Sequence, residues 1–141
     1  MFKVNRTVEE LNDWCKGNML GHLGIQFLEV TPTYLKASMP VDHRTKQPFG
    51  LLHGGASVVL SETLGSVATA FTVEDYTKEG GVGVEINANH LKSVTKGLVI
   101  GICTPIRLGR RIQVFETKIY NEQEELVCVS RLTCAIVPMR N

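Results

Sequence analysis

The sequence has little of what would mark a secreted, membrane-bound, metal-binding or nucleotide-binding protein. Proline contributes only 5 of 141 residues and aromatics 6%, whereas 43% are hydrophobic and 21% charged. That balance belongs to an ordinary globular domain rather than to a low-complexity or disordered chain. Charge of neither sign dominates, since 15 Lys and Arg stand against 14 Asp and Glu for a net +1. No overall field would therefore gather a nucleic-acid backbone or an anionic membrane. No run approaches the ~20 apolar residues a membrane helix needs. Residues 1–6 lead into Val8-Glu9-Glu10 instead of an apolar segment, so no secretory signal is expected. Cysteines 15, 103, 128 and 134 form no C-x-x-C pair, and the last three fall in β-rich stretches where a thiol packs as a small apolar group. They are read as reduced, in a cytoplasmic protein.

Other signatures are missing too. G-x-x-x-x-G-K-[ST] and G-x-G-x-x-G do not occur, which removes the phosphate-loop and dinucleotide readings. His22, His43, His53 and His90 form neither H-E-x-x-H nor a zinc-spaced cluster with cysteine. Neither a metal nor a redox cofactor is expected. The segment Gly55-Ala56-Ser57-Val58-Val59 lacks the last glycine of a nucleophile elbow, which argues against a serine hydrolase of that type.

What is present fits one domain, residues 1–141. Thr7-Val8-Glu9-Glu10 has the form of a capping box and predicts a short helix to about Lys16, stopped by Gly17. Two β-rich runs, 25–30 and 34–39, flank Thr31-Pro32-Thr33 as a hairpin would. Residues 42–51 mix charge, Pro48 and Gly50 without periodicity and read as a loop into a long helix over about 53–71. After a polar loop, β-rich stretches follow at 81–87, 98–106, 112–121 and 126–137. The fold class is α+β, an antiparallel six-stranded sheet around one long helix.

The long helix is the informative element. Ala56, Leu60, Leu64, Val67 and Phe71 make an apolar stripe that should lie on the sheet. The other face, expected to hold Gly55, Val58, Glu62, Gly65, Ser66 and Thr69, is small and nearly uncharged, and Glu62 is the only charged side chain from 53 to 71. A helix apolar or small all round is usually covered on both sides. One chain of this length has little left for the second side, so a symmetric oligomer is expected.

Chemistry concentrates in Gln47-Pro48-Phe49-Gly50-Leu51-Leu52-His53-Gly54-Gly55-Ala56 and in Glu62 beyond it. Glycines at a helix start let a ligand approach unpaired, partly positive N–H groups, which is the chemistry of an oxyanion hole. The Gly54 N–H and the Gln47 amide are the candidate donors. Glu62, in mostly apolar surroundings, suits a general base. Capping by His53 and satisfaction of Glu62 by Ser66 are the plainer alternatives. A second group, His90-Leu91-Lys92-Ser93 with Arg107-Leu108-Gly109-Arg110-Arg111 in a later turn, could bind phosphates or be a solvated hairpin.

The string from Gln47 to Glu62, with Glu85-Ile86-Asn87-Ala88-Asn89-His90 downstream, closely resembles the hotdog-fold acyl-CoA thioesterases over nearly the whole chain. The nearest members act on 1,4-dihydroxy-2-naphthoyl-CoA in menaquinone synthesis, and proofreading and phenylacetate-type thioesterases are relatives. The resemblance implies edge-to-edge dimers, commonly paired into homotetramers, that hydrolyse an aromatic acyl-CoA with coenzyme A as part of the substrate. It implies Glu62 as general base or nucleophile, Gly54 as carbonyl donor, Gln47 and His53 beside it, and Ser66 as a hydroxyl near the carboxylate. It also implies that Gly83, the 90–93 segment and the 107–111 turn line the coenzyme A arm. Phe49, Val67 and Phe71 are candidate acyl-pocket walls. A proofreading thioesterase on aryl carrier proteins, a hotdog dehydratase of 3-hydroxyacyl thioesters and a non-catalytic acyl-CoA-binding module are the alternatives.

Overall fold

The computed structural model describes residues 1–139. Helix α1 (Val8–Trp14) begins at the capping box: Thr7 Oγ1 accepts from the Glu10 N–H at 3.2 Å, and Glu10 Oε2 accepts from the Thr7 N–H at 2.8 Å. Gly17, at φ 73°, ends the segment. A single-turn helix α2 (Met19–His22) follows, capped by the Asn18 side chain. The sequence pattern does not announce it, because four residues carry no helical period.

Strands β1 (Gln26–Val30) and β2 (Leu35–Pro40) form the expected hairpin. Helix α3 (Gly54–Ala70) then leads to β3 (Glu79–His90), β4 (Leu98–Leu108), β5 (Ile112–Tyr120) and β6 (Leu126–Pro138). All pairings are antiparallel, and the spatial order is β1-β2-β4-β5-β6-β3. The six strands make one sheet wrapped around α3, the hotdog architecture. β3 pairs with the last strand rather than with its sequence neighbour, so β1 and β3 are the edges.

Alternation in β5 shows how the sheet makes its inner face: Gln113, Phe115, Thr117 and Ile119 are buried between less buried neighbours. Phe115 and Ile119 join Leu35, Met39, Val99, Cys103 and Leu132 in the core with Leu60 and Leu64 of α3, both 0% exposed. Truncating either leucine to alanine would cost about 2–5 kcal/mol. All four cysteines are free thiols and buried; burial pushes Cys103 up to about 12.

The helix faces differ from expectation in two respects. Ala68, not Val67, continues the buried stripe, and Val67 is half-buried on the open side. Gly65 and Thr69, expected outward, point into the sheet. A Cβ on Gly65 would meet Leu132 Cδ2 at 2.5 Å, and Thr69 is 0% exposed over Gly81. The curled sheet covers more than one stripe of the helix, and β3 takes the side these residues occupy. The open face narrows to Val58, Val59, Glu62, Ser66 and Val67. β3 also runs further than its expected end at Asn87, so His90 is a strand residue.

Candidate active site

The start of α3 is built by its own loop. Thr45 O accepts from the His53 N–H at 2.8 Å, and the Gln47 backbone turns back on Leu51 and Gly50. His53 is the N-cap, and its Nδ1 accepts from the Gly55 N–H at 2.8 Å. That places the ring's remaining proton on Nε2. The Gln47 side-chain oxygen accepts from the Phe49 N–H, which leaves its NH2 group as a donor. The Gly54 N–H, first in the helix, has no partner among the described residues. His90 lies against this point from β3, and a Cβ on Gly54 would meet its Nε2 at 2.5 Å. Gln47, Gly54, His90, Leu91, Lys92 and Ser93 line one cleft of about 330 Å³, with Leu51, Leu52, Ser57 and Val127 completing it. Gln47, Gly54 and His90 are donors or donor carriers around one space, suited to a carbonyl oxygen that gains charge.

Glu62 lies in a different cleft. Eight residues of helix at 1.5 Å each separate it from Gly54 by about 12 Å. Its walls are Met19, Leu20, Val59 and Val67, with the Thr63 and Ser66 hydroxyls, in a volume of about 350 Å³. Ser66, one turn on, shares its face. The carboxylate lies over Gly83 of β3, where a Cβ would come within 2.6 Å of Oε1, so the missing side chain makes the room. Cys134 backs this group, and burial pushes its thiol up.

One chain thus brings Gln47, His53, Gly54 and the 90–93 segment together, and separately joins Glu62, Ser66, Val67 and Gly83. It does not bring the two sets together. Nor does it unite the 90–93 segment with the 107–111 turn. The paired positions His90–Cys128 and Ile112–Ala135 are seven residues apart along β6, about 23 Å. Arg107, Arg110 and Arg111 are exposed and form no ion pair among the described residues. Leu108, Gly109 and Arg110 line a cleft of about 580 Å³ with Lys3, Thr72 and Gln113. Lys92 Nζ is held by Glu125 Oε2 at 2.6 Å, an ion pair that lowers the Glu125 pKa and that sequence reasoning did not find.

One wall candidate needs correcting, and a second lies outside both clefts of the single chain. Phe71 is 1% exposed and packs in the core at the end of α3, because it continues the buried stripe. Phe49 is 87% exposed at its turn and lines neither cleft. Val67 does line the Glu62 cleft. Val59 and Thr63 were legible as helical neighbours of Glu62. Met19 and Leu20 were not, since only tertiary docking brings them there.

The thioesterase superfamily model matches residues 49–128, which span the helix start, Glu62 and the 107–111 turn. The chain belongs to the thioesterase superfamily. This thioesterase is 52% identical to the 1,4-dihydroxy-2-naphthoyl-CoA hydrolase of Escherichia coli over 97% of its own length and 99% of that protein. It is 48% identical to the proofreading thioesterase EntH of Cronobacter sakazakii, covering 97% and 98%. A crystal structure of a thioesterase from Haemophilus influenzae superposes with a TM-score of 0.94 at 46% identity, covering 99% of this chain and 96% of that one. The chain is a thioester hydrolase of this superfamily, and the hydrophobic cleft beside Glu62 lies partly outside the matched segment.

Proposed function

We propose that the protein hydrolyses an aromatic acyl-CoA, of the 1,4-dihydroxy-2-naphthoyl or benzoyl kind, in sites shared between two copies of the chain. The observation that carries the reading is the division described above. The donors sit at the helix start, the carboxylate about 12 Å further along the same helix, and both lie beside the open face of α3. Two copies related by a two-fold axis, with their α3 helices antiparallel, set the Glu62 of one beside the Gln47 and Gly54 of the other, twice. The free outer edge of β3 offers the pairing that would join the two sheets.

In this site the thioester carbonyl oxygen accepts from the Gly54 N–H and the Gln47 NH2. As general base, Glu62 takes a proton from water while the water oxygen attacks the carbonyl carbon. The carbonyl electrons move to oxygen, where the donors hold them. The tetrahedral anion collapses, the C–S bond breaks, and the sulfur leaves as coenzyme A thiol with the proton that Glu62 took from water, which restores the carboxylate. The acyl group leaves as the free acid. As nucleophile, Glu62 would attack the carbonyl carbon and form a mixed anhydride as the C–S bond breaks and coenzyme A leaves as thiolate, and water would then open the anhydride to the free acid and the Glu62 carboxylate. A single turnover in heavy-oxygen water separates these routes, since only the anhydride route can place the label in Glu62. No step draws on a metal or redox cofactor, and coenzyme A enters only as part of the substrate.

The naphthoyl preference, and with it a place in menaquinone synthesis, is supported by the name of the hydrolase relative; a cytoplasmic homotetramer of two dimers is part of the same proposal and rests on the resemblance alone. A second reading, removal of aryl groups from a carrier protein, is favoured by the likeness to the proofreading thioesterase. Thiol release from benzoyl-CoA, a naphthoyl-CoA and an aryl carrier-protein thioester, ranked by kcat/KM, tests both. Wild-type protein inactive on all three would overturn the proposal.

A further inference from the structure

The superfamily match covers residues 49–128, yet two walls of the Glu62 cleft come from α2, well before it. Leu20 is fixed at both backbone groups: its N–H donates to Asn18 Oδ1 at 3.0 Å, and its carbonyl accepts from the Ile25 N–H at 3.0 Å. Its side chain packs against the core, whereas Met19 stands at the rim, 59% exposed.

The segment carrying them is clamped to the rest of the domain. The Phe2 N–H donates to Pro32 O at 2.8 Å and the Lys3 N–H to Phe71 O at 2.7 Å. Asn12 brackets the Phe27 backbone, accepting at 2.7 Å and donating at 3.1 Å. The Arg6 guanidinium lies between the Trp14 and Tyr76 rings, 4.0 and 4.2 Å from their centroids. A wall tied down this way presents a fixed surface, and fixed apolar surfaces near the reacting atoms set the size of group that fits.

Chemically the cleft is one carboxylate and two hydroxyls among aliphatic and thioether side chains. The Met19, Leu20, Val59 and Val67 walls offer contact area without a hydrogen bond, and the only hydrogen-bonding side chains lining the cleft are Glu62, Thr63 and Ser66. Its volume of about 350 Å³ is at the small end of ligand pockets, which run from ~300 Å³ upward. Aliphatic walls with a thioether at the rim match the faces and edges of an aromatic ring.

We infer that Leu20, with Met19 at its rim, is the specificity-determining wall that limits the acyl group to a compact ring system. This rests on the reading of Glu62 as the group that meets the thioester. The acyl group occupies the cleft between α2 and the open face of α3, with its carbonyl at Glu62 and its far edge against Leu20.

The test is kcat/KM for naphthoyl-CoA, benzoyl-CoA and hexanoyl-CoA with wild type, Leu20→Phe, Met19→Phe and Glu62→Gln, with thermal melts of each. Leu20→Phe narrows the cleft and is expected to lower the naphthoyl-to-benzoyl ratio by roughly tenfold or more, the range in which a few methylenes act in an apolar pocket. Met19→Phe, at an exposed position that tolerates the change, is expected to move it the same way by about threefold, being further from the ring. If Leu20→Phe does not fold, Met19→Phe decides. Ratios within about twofold of wild type in every variant that folds overturn the inference. Where Glu62→Gln is inactive but those ratios stay flat, this inference alone fails. Wild type inactive on every ester removes the reading beneath it as well.

Discussion

The two clefts on α3 use one helix in opposite ways. At its start the backbone does the work: the unpaired Gly54 N–H, an amide turned by Phe49 and a histidine laid against Gly54 surround one space with donors. Two turns later the backbone is fully paired, and a lone carboxylate stands among Leu20, Val59 and Val67. A helix end offers hydrogen-bond donors without any side chain, whereas a helix middle offers only what its side chains carry. A side-chain acid–base group therefore belongs in the middle, and oxyanion donors belong at the end.

The sharpest way to break this comparison is to remove each half alone. Glu62→Gln is expected to lower kcat by about 10²- to 10⁴-fold, the range for losing a positioned base, with little change in KM. Gln47→Ala removes one of two donors and is expected to cost up to about 10³-fold. Turnover near wild type in Glu62→Gln would reject the division of labour. A mixture of the two inactive variants then tests where the halves meet. If each site takes one half from each copy, random pairing makes half the dimers mixed with one intact site each, and about a quarter of wild-type activity returns. Sites confined to one chain would return none.

Single methyl groups sharpen the contrast at lower cost. Gly83→Ala puts a Cβ 2.6 Å from the Glu62 carboxylate, and Gly54→Ala puts one 2.5 Å from the His90 ring. The Glu62 carboxylate is the far end of a flexible side chain, so Gly83→Ala should displace it with little loss of stability. Displacement by about 1 Å costs on the order of 10²-fold in rate, while the melting temperature should stay within about 2 °C. Gly54→Ala must move an imidazole packed on the helix start and is expected to cost both stability and turnover. If Gly83→Ala left kcat intact, the carboxylate's position would not matter to the reaction.

Much of this was legible beforehand. Local signals fixed the capping box at Thr7, the helix from about His53 and the β-rich strand segments, since each depends on neighbours in sequence. The pairing of β3 with β6 was not legible, because nothing local to either strand names its partner. Gly65 and Thr69 were misassigned for a related reason: periodicity gives the angle of a side chain on the helix but not how far the sheet curls around it. The helix-start donors followed from Gly54 and Gln47 alone. The apolar wall beside Glu62 did not, because Leu20 reaches it through a single turn of helix too short to leave a period.

The smallest expected effect concerns the rim of the donor cleft. Lys92 lines it, but its ammonium is engaged by Glu125 at 2.6 Å. The hydrogen bond from Lys92 is the main cause of the lowered Glu125 pKa, with Asn121 adding to it. A carboxylate whose folded value is depressed contributes stability above its unfolded value, lost only as pH falls through the folded one. The pair is therefore intact at neutral pH, and under the proposed function Lys92 would have to leave Glu125 to meet a substrate phosphate. Glu125→Gln removes that competitor and is expected to lower KM for an acyl-CoA by no more than about fivefold, the scale of exposed ion pairs. The gain should shrink with added salt and vanish for a truncated thioester without the nucleotide. An equal gain on the truncated ester would show that Lys92 acts on the cleft's shape and not on the coenzyme.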